Sequence, residues 1–330
     1  MSAAGPATED GAPGGLRHRE RPAWLDASFW ADWAAVVGLA GLVVIFALTA
    51  PAFFTWSNLQ AVLLASAILV IVAVGQTFVI ATAGIDLSMA ATTTLAAVLL
   101  GWAYAGSYGT AVACLLAVGV GALVGLVNGM VITRGKIPDF VVTLGSLSAV
   151  TGVGLILSSG EPVMVSSLFL LKLASGRIGI LGYPVLVALA VAVIGHVLLF
   201  HTRFGVHLLA TGGHAESARS LGIHTDRVKI AAYTISGSCA GLAAILLVAR
   251  IGSAEPTVNT TLLLNSVAAV VLGGVSLFGG RGTILGPVFG ALLLTTLVNG
   301  LTLLGVSAFY QPLAVGIIVV LAALIMRYQR

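Results

Sequence analysis

The chain has 330 residues, of which 59% are hydrophobic and 8% charged, with a net charge of +4 and a mean hydropathy of +1.11. Soluble domains carry roughly 25% charged residues, and one soluble core cannot absorb repeated apolar runs of about 20 residues, the length a bilayer demands of each spanning helix. The composition therefore excludes a soluble domain, and the Lys and Arg, scattered singly between apolar runs, give no basic patch and no expectation of a nucleic-acid partner.

Residues 1–32 are rich in Pro, Gly and Ala, mix both charge signs and lack an apolar face to offset ordering entropy, so they read as a disordered cytoplasmic leader. A cleaved signal peptide is not expected, because the first apolar run follows that long polar stretch. Breaking the remainder at Gly, Pro and charge clusters predicts spans at Trp33–Ala50, Leu59–Ala83, Ser88–Tyr104, Gly109–Thr133 and Phe140–Ser158. After a polar loop come Tyr183–Phe200, Val228–Ala249, Leu262–Phe278, Ile284–Leu304 and Phe309–Met326. The expected fold is an all-α polytopic membrane bundle of about ten segments, residues 33–330, in which the short third and eighth segments are candidates for entering and leaving by one face.

Short cytoplasmic loops hold most Lys and Arg. With both termini cytoplasmic, only Lys172, Arg177 and Arg250 of the 15 basic residues fall outside. Gly121, Gly125 and Gly129, the pair Gly237 and Gly241, and the pair Gly286 and Gly290 recur every fourth residue, which lets helix backbones approach closely within one bundle. Cys114 and Cys239 stand apart in apolar runs and read as small core residues. Gly84-Ile85-Asp86-Leu87 is echoed by Gly274-Val275-Ser276-Leu277, and Leu126-Val127-Asn128-Gly129 by Leu297-Val298-Asn299-Gly300, a weak sign of two repeated halves.

No catalytic constellation is present: no HExxH, no GxSxG, no paired carboxylates on one helix face. His201, His207, His214 and His224 sit irregularly in or beside a solvated loop, which does not make a metal site. The glycine-rich stretch from Phe278 to Gly286 lacks the Lys-Ser/Thr ending of a nucleotide-binding loop, so no cofactor is expected on this chain. The longest cytoplasmic loop, about residues 202–229, holds a short helix from about Ala215 to Leu221 closed by Gly222, with charge on one side and Ala218 and Leu221 on another. It reads equally as a docking surface or as a connector touching only lipid headgroups. Asp86, the only Lys, Arg, Asp or Glu between Asp32 and Arg134, maps to the inner end of the second span. It either caps the next helix through the N–H of Ser88 or Met89, or pairs with Arg281 to hold an inner gate.

Three blocks resemble a known family: Gly84-Ile85-Asp86-Leu87-Ser88, the loop from Ala210 through Ile223, and the run from Ala268 through Thr283. Together they resemble the permease subunits of bacterial ABC importers for ribose, xylose, arabinose, galactosides and related sugars, over roughly Asn58 to Met326. The resemblance implies an inner-membrane homodimer or sister-permease pair, two cytoplasmic ATPase subunits that use the ATP, and an extracytoplasmic solute-binding protein that delivers a pentose or hexose. It also implies that Glu216, Ser217, Ala218, Arg219, Leu221 and Gly222 form the element coupled to the ATPase. The chain departs from the family at Leu263-Leu264-Asn265, where an acidic triplet is usual, at His214, where Asn is common, and at Ala83 and Ala90, which replace frequent glycines.

Neutral sugars are recognised by hydrogen-bonding groups more than by charge, so the candidate path residues are Gln76, Thr77, Asn128, Asn265, Ser266 and Asn299, each of which can equally glue helices together. The rival readings are a branched-chain amino acid permease of the same architecture, an ion-coupled secondary transporter, which would place acids deep in the membrane, and an intramembrane enzyme, which would need clustered catalytic groups.

Overall fold

A computed structural model of the chain describes residues 27–179 and 181–327. The leader expected over residues 1–32 lies outside them as far as residue 26. In chain order the helices are α1 (Ala27–Thr49), α2 (Trp56–Ala81), α3 (Met89–Ala105), α4 (Thr110–Gly135), α5 (Asp139–Ser158), α6 (Leu168–Ser175), α7 (Tyr183–Phe200), α8 (Arg203–Gly213), α9 (Ala215–Ser220), α10 (Thr225–Ile251), α11 (Thr260–Leu272), α12 (Leu285–Leu303) and α13 (Gln311–Arg327). Four two-residue strands, β1 (Val163–Met164), β2 (Arg177–Ile178), β3 (Leu181–Gly182) and β4 (Ser253–Ala254), pair antiparallel as β1 with β4 and β2 with β3.

Six helices, α2, α4, α5, α7, α10 and α12, are long and apolar enough to cross a bilayer, and shorter apolar helices accompany them. The molecule is a polytopic membrane helix bundle. Most expected boundaries fall within a few residues of those observed. The eighth expected segment, Leu262–Phe278, is the clearest departure: α11 ends at Leu272. Its 13 residues rise about 20 Å, short of the roughly 30 Å hydrocarbon core. Gly274, at φ +78°, adopts the left-handed conformation that ends a helix and reverses the chain.

Central in the bundle is α2, buried continuously from Ser66 to Ala81. Around it the glycine spacings act inside the chain. A methyl group on Gly121 would meet the carbonyl of Gly237, one on Gly237 the carbonyl of Gly121, and one on Gly125 the carbonyl of Tyr233, so α4 and α10 touch backbone to backbone. The same holds for Gly286 against Gly273 and Gly290 against Ala269 at the α11–α12 seam. The repeated Leu-Val-Asn-Gly tetrapeptide has one physical reading in both places. Its Gly admits a neighbouring helix, Ile230 over Gly129 and Phe46 over Gly300, and its Asn reaches across to another helix.

Two ends of the bundle are defined by contacts. At one, β1 follows α5 and pairs with β4, which follows α10. At the other, Asp139 at the start of α5 meets Lys229 near the start of α10 at 2.8 Å. The Gly280 N–H there donates to the Ala81 carbonyl at 3.0 Å, and Gly212 packs against both residues. The α2–α3 break, the end of α8 and the α11–α12 loop thus converge on one end.

Candidate functional site

Between α2 and α3 the chain turns through residues 82–88, and Ala83 takes φ +60°, a conformation that L residues with a Cβ resist. Glycine meets that φ without a penalty, which fits the glycine usual at this position; nothing in the structure explains the Ala in its place. Asp86 is 2% exposed. Its Oδ1 accepts from the Ser88 N–H at 3.0 Å and the Ser88 hydroxyl at 2.6 Å, and its Oδ2 from the Ser236 hydroxyl at 3.0 Å. Asn128 Nδ2 donates to Ser88 Oγ at 2.9 Å, and Gln76 Nε2 to the Asp86 carbonyl at 3.2 Å. Four elements, α2, α3, α4 and α10, therefore meet at one buried carboxylate, which three donors satisfy without a cation. No ion pair links Asp86 to Arg281 among the described residues; Arg281 is exposed. In this conformation the pairing considered for an inner gate is absent, because the carboxylate is turned inward to the serines.

One turn further toward that end of the bundle lies a second cluster. Lys229 Nζ donates to Asp139 Oδ1 at 2.8 Å, Tyr233 Oη donates to Asp139 Oδ2 at 2.8 Å and lies 3.4 Å from the Ile85 carbonyl, and Thr143 Oγ1 donates to that carbonyl at 3.1 Å. Sequence reasoning missed Lys229, Tyr233, Ser236, Asp139 and Thr143. The signal was available in part: Lys229, Tyr233 and Ser236 recur at i, i+4 and i+7, one face of α10.

The path candidates separate into different places. Gln76 and Asn128 meet at the Asp86 cluster, and Gln76 Oε1 is buried without a partner among the described residues. Thr77 bonds back to the Ala73 carbonyl at 2.7 Å and Ser266 to the Leu263 carbonyl at 2.7 Å, both inside their own helices. Asn299 and Asn58 exchange amide bonds of 2.8 and 3.1 Å between α12 and α2. Asn265 alone lines a cleft of 220 Å³ between α2, α10, α11 and α12. Arg250, Asn259, Thr261 and Thr295 give that cleft polar groups, and Ile68, Leu247, Leu262 and Leu294 give it apolar walls. Such a mixture suits a small polyhydroxylated molecule, whose faces are apolar and edges polar. Arg250, in the last turn of α10 before β4, and Asn259, the cap of α11, put the cleft at the end opposite Asp86.

In the long loop, α9 is capped by His214, whose Nδ1 accepts from the Ser217 N–H at 3.2 Å, and is closed by Gly222 at φ +83°. The cap explains how His serves where Asn is common: each offers an acceptor at that position. Arg219 fastens α9 to the start of α10, donating from Nε to Thr225 Oγ1 at 2.7 Å and from Nη2 to Asp226 Oδ1 at 3.1 Å. Ala218 is 2% exposed and Leu221 82%, so the two do not share a side as the helical spacing suggested. The helix stops at Ser220, and Leu221, in the closing turn, points outward beside the exposed Glu216 and Ser220. No group of three or more His, Cys, Asp or Glu able to hold a metal is found among the described residues.

Residues 58–326 match the family described as the branched-chain amino acid transport system permease component. Among curated relatives, the ribose import permease protein RbsC of Escherichia coli (strain K12) is 37% identical over 92% of this chain and 94% of its own length. The ribose import permease protein RbsC of Bacillus subtilis (strain 168) is 39% identical over 88% and 91%. The fructose import permease protein FrcC of Rhizobium meliloti is 35% identical over 84% and 80%. No solved structure gives a significant match. Family match, near full-length relatives and spanning helices agree: the chain belongs to this family of membrane-spanning transport permeases.

Proposed function

We propose that two copies of this bundle, or one copy and a sister permease, enclose a path for a neutral pentose or hexose. An extracytoplasmic solute-binding protein hands the sugar over, and two cytoplasmic ATPase subunits bind and hydrolyse the ATP. The carrying observation is the division of the molecule into two ends. The polar, apolar-walled cleft at Asn265 opens at one, while the α2–α3 break, the α11–α12 loop and α8–α9 gather at the other. Arg134, Lys136, Arg203, Arg219, Arg227, Lys229 and Arg281 all belong to loops or helix ends of that second end, which positive-inside counting makes cytoplasmic. With about ten membrane-embedded segments arranged as two related halves, this orientation puts both chain termini on the cytoplasmic side.

On this reading Glu216 and Ser220 of α9 and Leu221 of its closing turn face the ATPase. ATP-driven closure of the two ATPases draws the α9 helices together and tilts the elements attached to them. Access then passes from the cleft end to the Asp86 end, with no bond in the sugar changed. Gln76 and Asn128 line the inner part of the route and Asn265 the outer part, while Asn299 holds α12 to α2. A ligand panel on the binding protein, followed by uptake with and without this permease, tests the assignment. Binding of pentoses or hexoses with permease-dependent uptake is expected. A partner that binds only branched-chain amino acids would overturn it.

A further inference from the structure

Helix α10 packs on α2, α3 and α4, and its first residues are fastened to α9. Arg219 holds Thr225 and Asp226. One to three turns along, the same helix presents Lys229, Tyr233 and Ser236. All three reach the segment that breaks between α2 and α3 or the residue packed on it: Lys229 and Tyr233 through Asp139, and Ser236 directly on Asp86. Tyr233 is fully buried. The fit is tight enough that a methyl group on Gly84 would stand 2.5 Å from Asp139 Oδ2 and 2.9 Å from Tyr233 Oη. Further along, α10 meets α4 backbone to backbone at Gly121, Gly125 and Gly237. A displacement of α9 would be carried along α10 to residues 84–88, where the hydroxyl of Tyr233 and the carboxylate of Asp139 engage the break.

We propose that the Lys229–Tyr233–Ser236 face of α10 transmits ATPase-driven motion of α9 to the 84–88 break, with Tyr233 and Lys229 as positioning residues for transport. This rests on the reading that α9 docks on the ATPase. Among packed elements with two arrangements, coupling energies of this kind typically correspond to 5- to 150-fold effects, about 1–3 kcal/mol.

The test is to reconstitute the complete importer, permease with its ATPase and binding protein, in proteoliposomes and to measure sugar uptake and ATP hydrolysis in the same vesicles. Tyr233→Phe and Lys229→Met are expected to keep ATP hydrolysis within about twofold while sugar carried per ATP falls at least about fivefold. Lys229→Arg, which keeps the ion pair to Asp139, is expected to keep the ratio. Both variants retaining the wild-type ratio, or uptake and hydrolysis falling in parallel, would overturn the proposal. Should Tyr233→Phe fail to assemble, the Lys229→Met and Lys229→Arg pair decides alone. Leu221→Asp separates the two readings: if it leaves the ATPase bound to the permease, the docking assignment of α9 fails, whatever the Tyr233 and Lys229 ratios show.

Discussion

Replacing Gly84 by Ala probes the junction on which the Asp86 end of the bundle is built. The added methyl would lie 2.5 Å from Asp139 Oδ2, 2.9 Å from Tyr233 Oη and 3.2 Å from Val79 Cγ1, where carbon contacts settle near about 3.5–4.0 Å. Three elements would each have to yield by several tenths of an ångström or more. Val79 and Tyr233 are fully buried and have nowhere to go, so the carboxylate of Asp139 must leave its place between Tyr233 and Lys229. Overpacking of this kind costs about 1–3 kcal/mol, and a lost hydrogen bond to a charged group adds about 1.5–3 kcal/mol. Thermal unfolding of the purified permease should show a loss toward the sum of these. Adding Asp139→Ala removes the nearest obstacle, so the pair of substitutions should be less than additive by about 0.5–3 kcal/mol. Wild-type stability of Gly84→Ala, or strict additivity with Asp139→Ala, would refute the packing argument.

Three further predictions follow from the same structure. Ala83→Gly should raise the melting temperature, because releasing φ +60° from a residue with a Cβ is worth about 1 kcal/mol. An unchanged or lower melting temperature would speak against the strained turn. Gly121→Ala drives a methyl into the Gly237 carbonyl, whereas Gly119→Ala meets nothing within 4 Å. The first should cost at least about 1–3 kcal/mol and the second should be neutral or stabilise by up to about 1 kcal/mol, as read from unfolding of each in detergent. Asn58→Ala and Asn299→Ala should each destabilise by about 1–3 kcal/mol through the amide left behind. The double variant should cost less than their sum, and uptake per folded molecule should be retained.

What was legible in the sequence follows from how each feature is encoded. Spanning helices are written in contiguous apolar runs, so α4, α5, α7 and α12 were readable nearly to the residue. Close approach is written in glycines four apart, so the tight seams could be anticipated, although not that Gly121 would face Gly237. The α11 end was misplaced because Val275, Leu277 and Phe278 continue the apolar run past Gly273 and Gly274, and hydropathy does not register a left-handed turn. Asp86 stood out as an isolated acid, and the Ser88 N–H as its local partner, but its distant partners did not. Ser236 lies 150 positions away and Tyr233 94 positions from Asp139, and no local spacing announces contacts closed by the tertiary fold. The polar path residues were chosen by residue type alone, which cannot separate Asn265 in a cleft from Asn299 in an interhelical pair.

The central claim is import of a sugar by an ATP-driven complex in which this chain is the membrane path. The direct measurement is accumulation of radiolabelled sugar, from the class the binding protein retains, by proteoliposomes holding this permease and its ATPase, with binding protein outside and ATP inside. Accumulation that requires all three proteins and ATP hydrolysis, and that persists when ion gradients are collapsed by an ionophore, is the predicted result. Uptake that proceeds without ATP, or that disappears only with the ion gradient, would contradict the account.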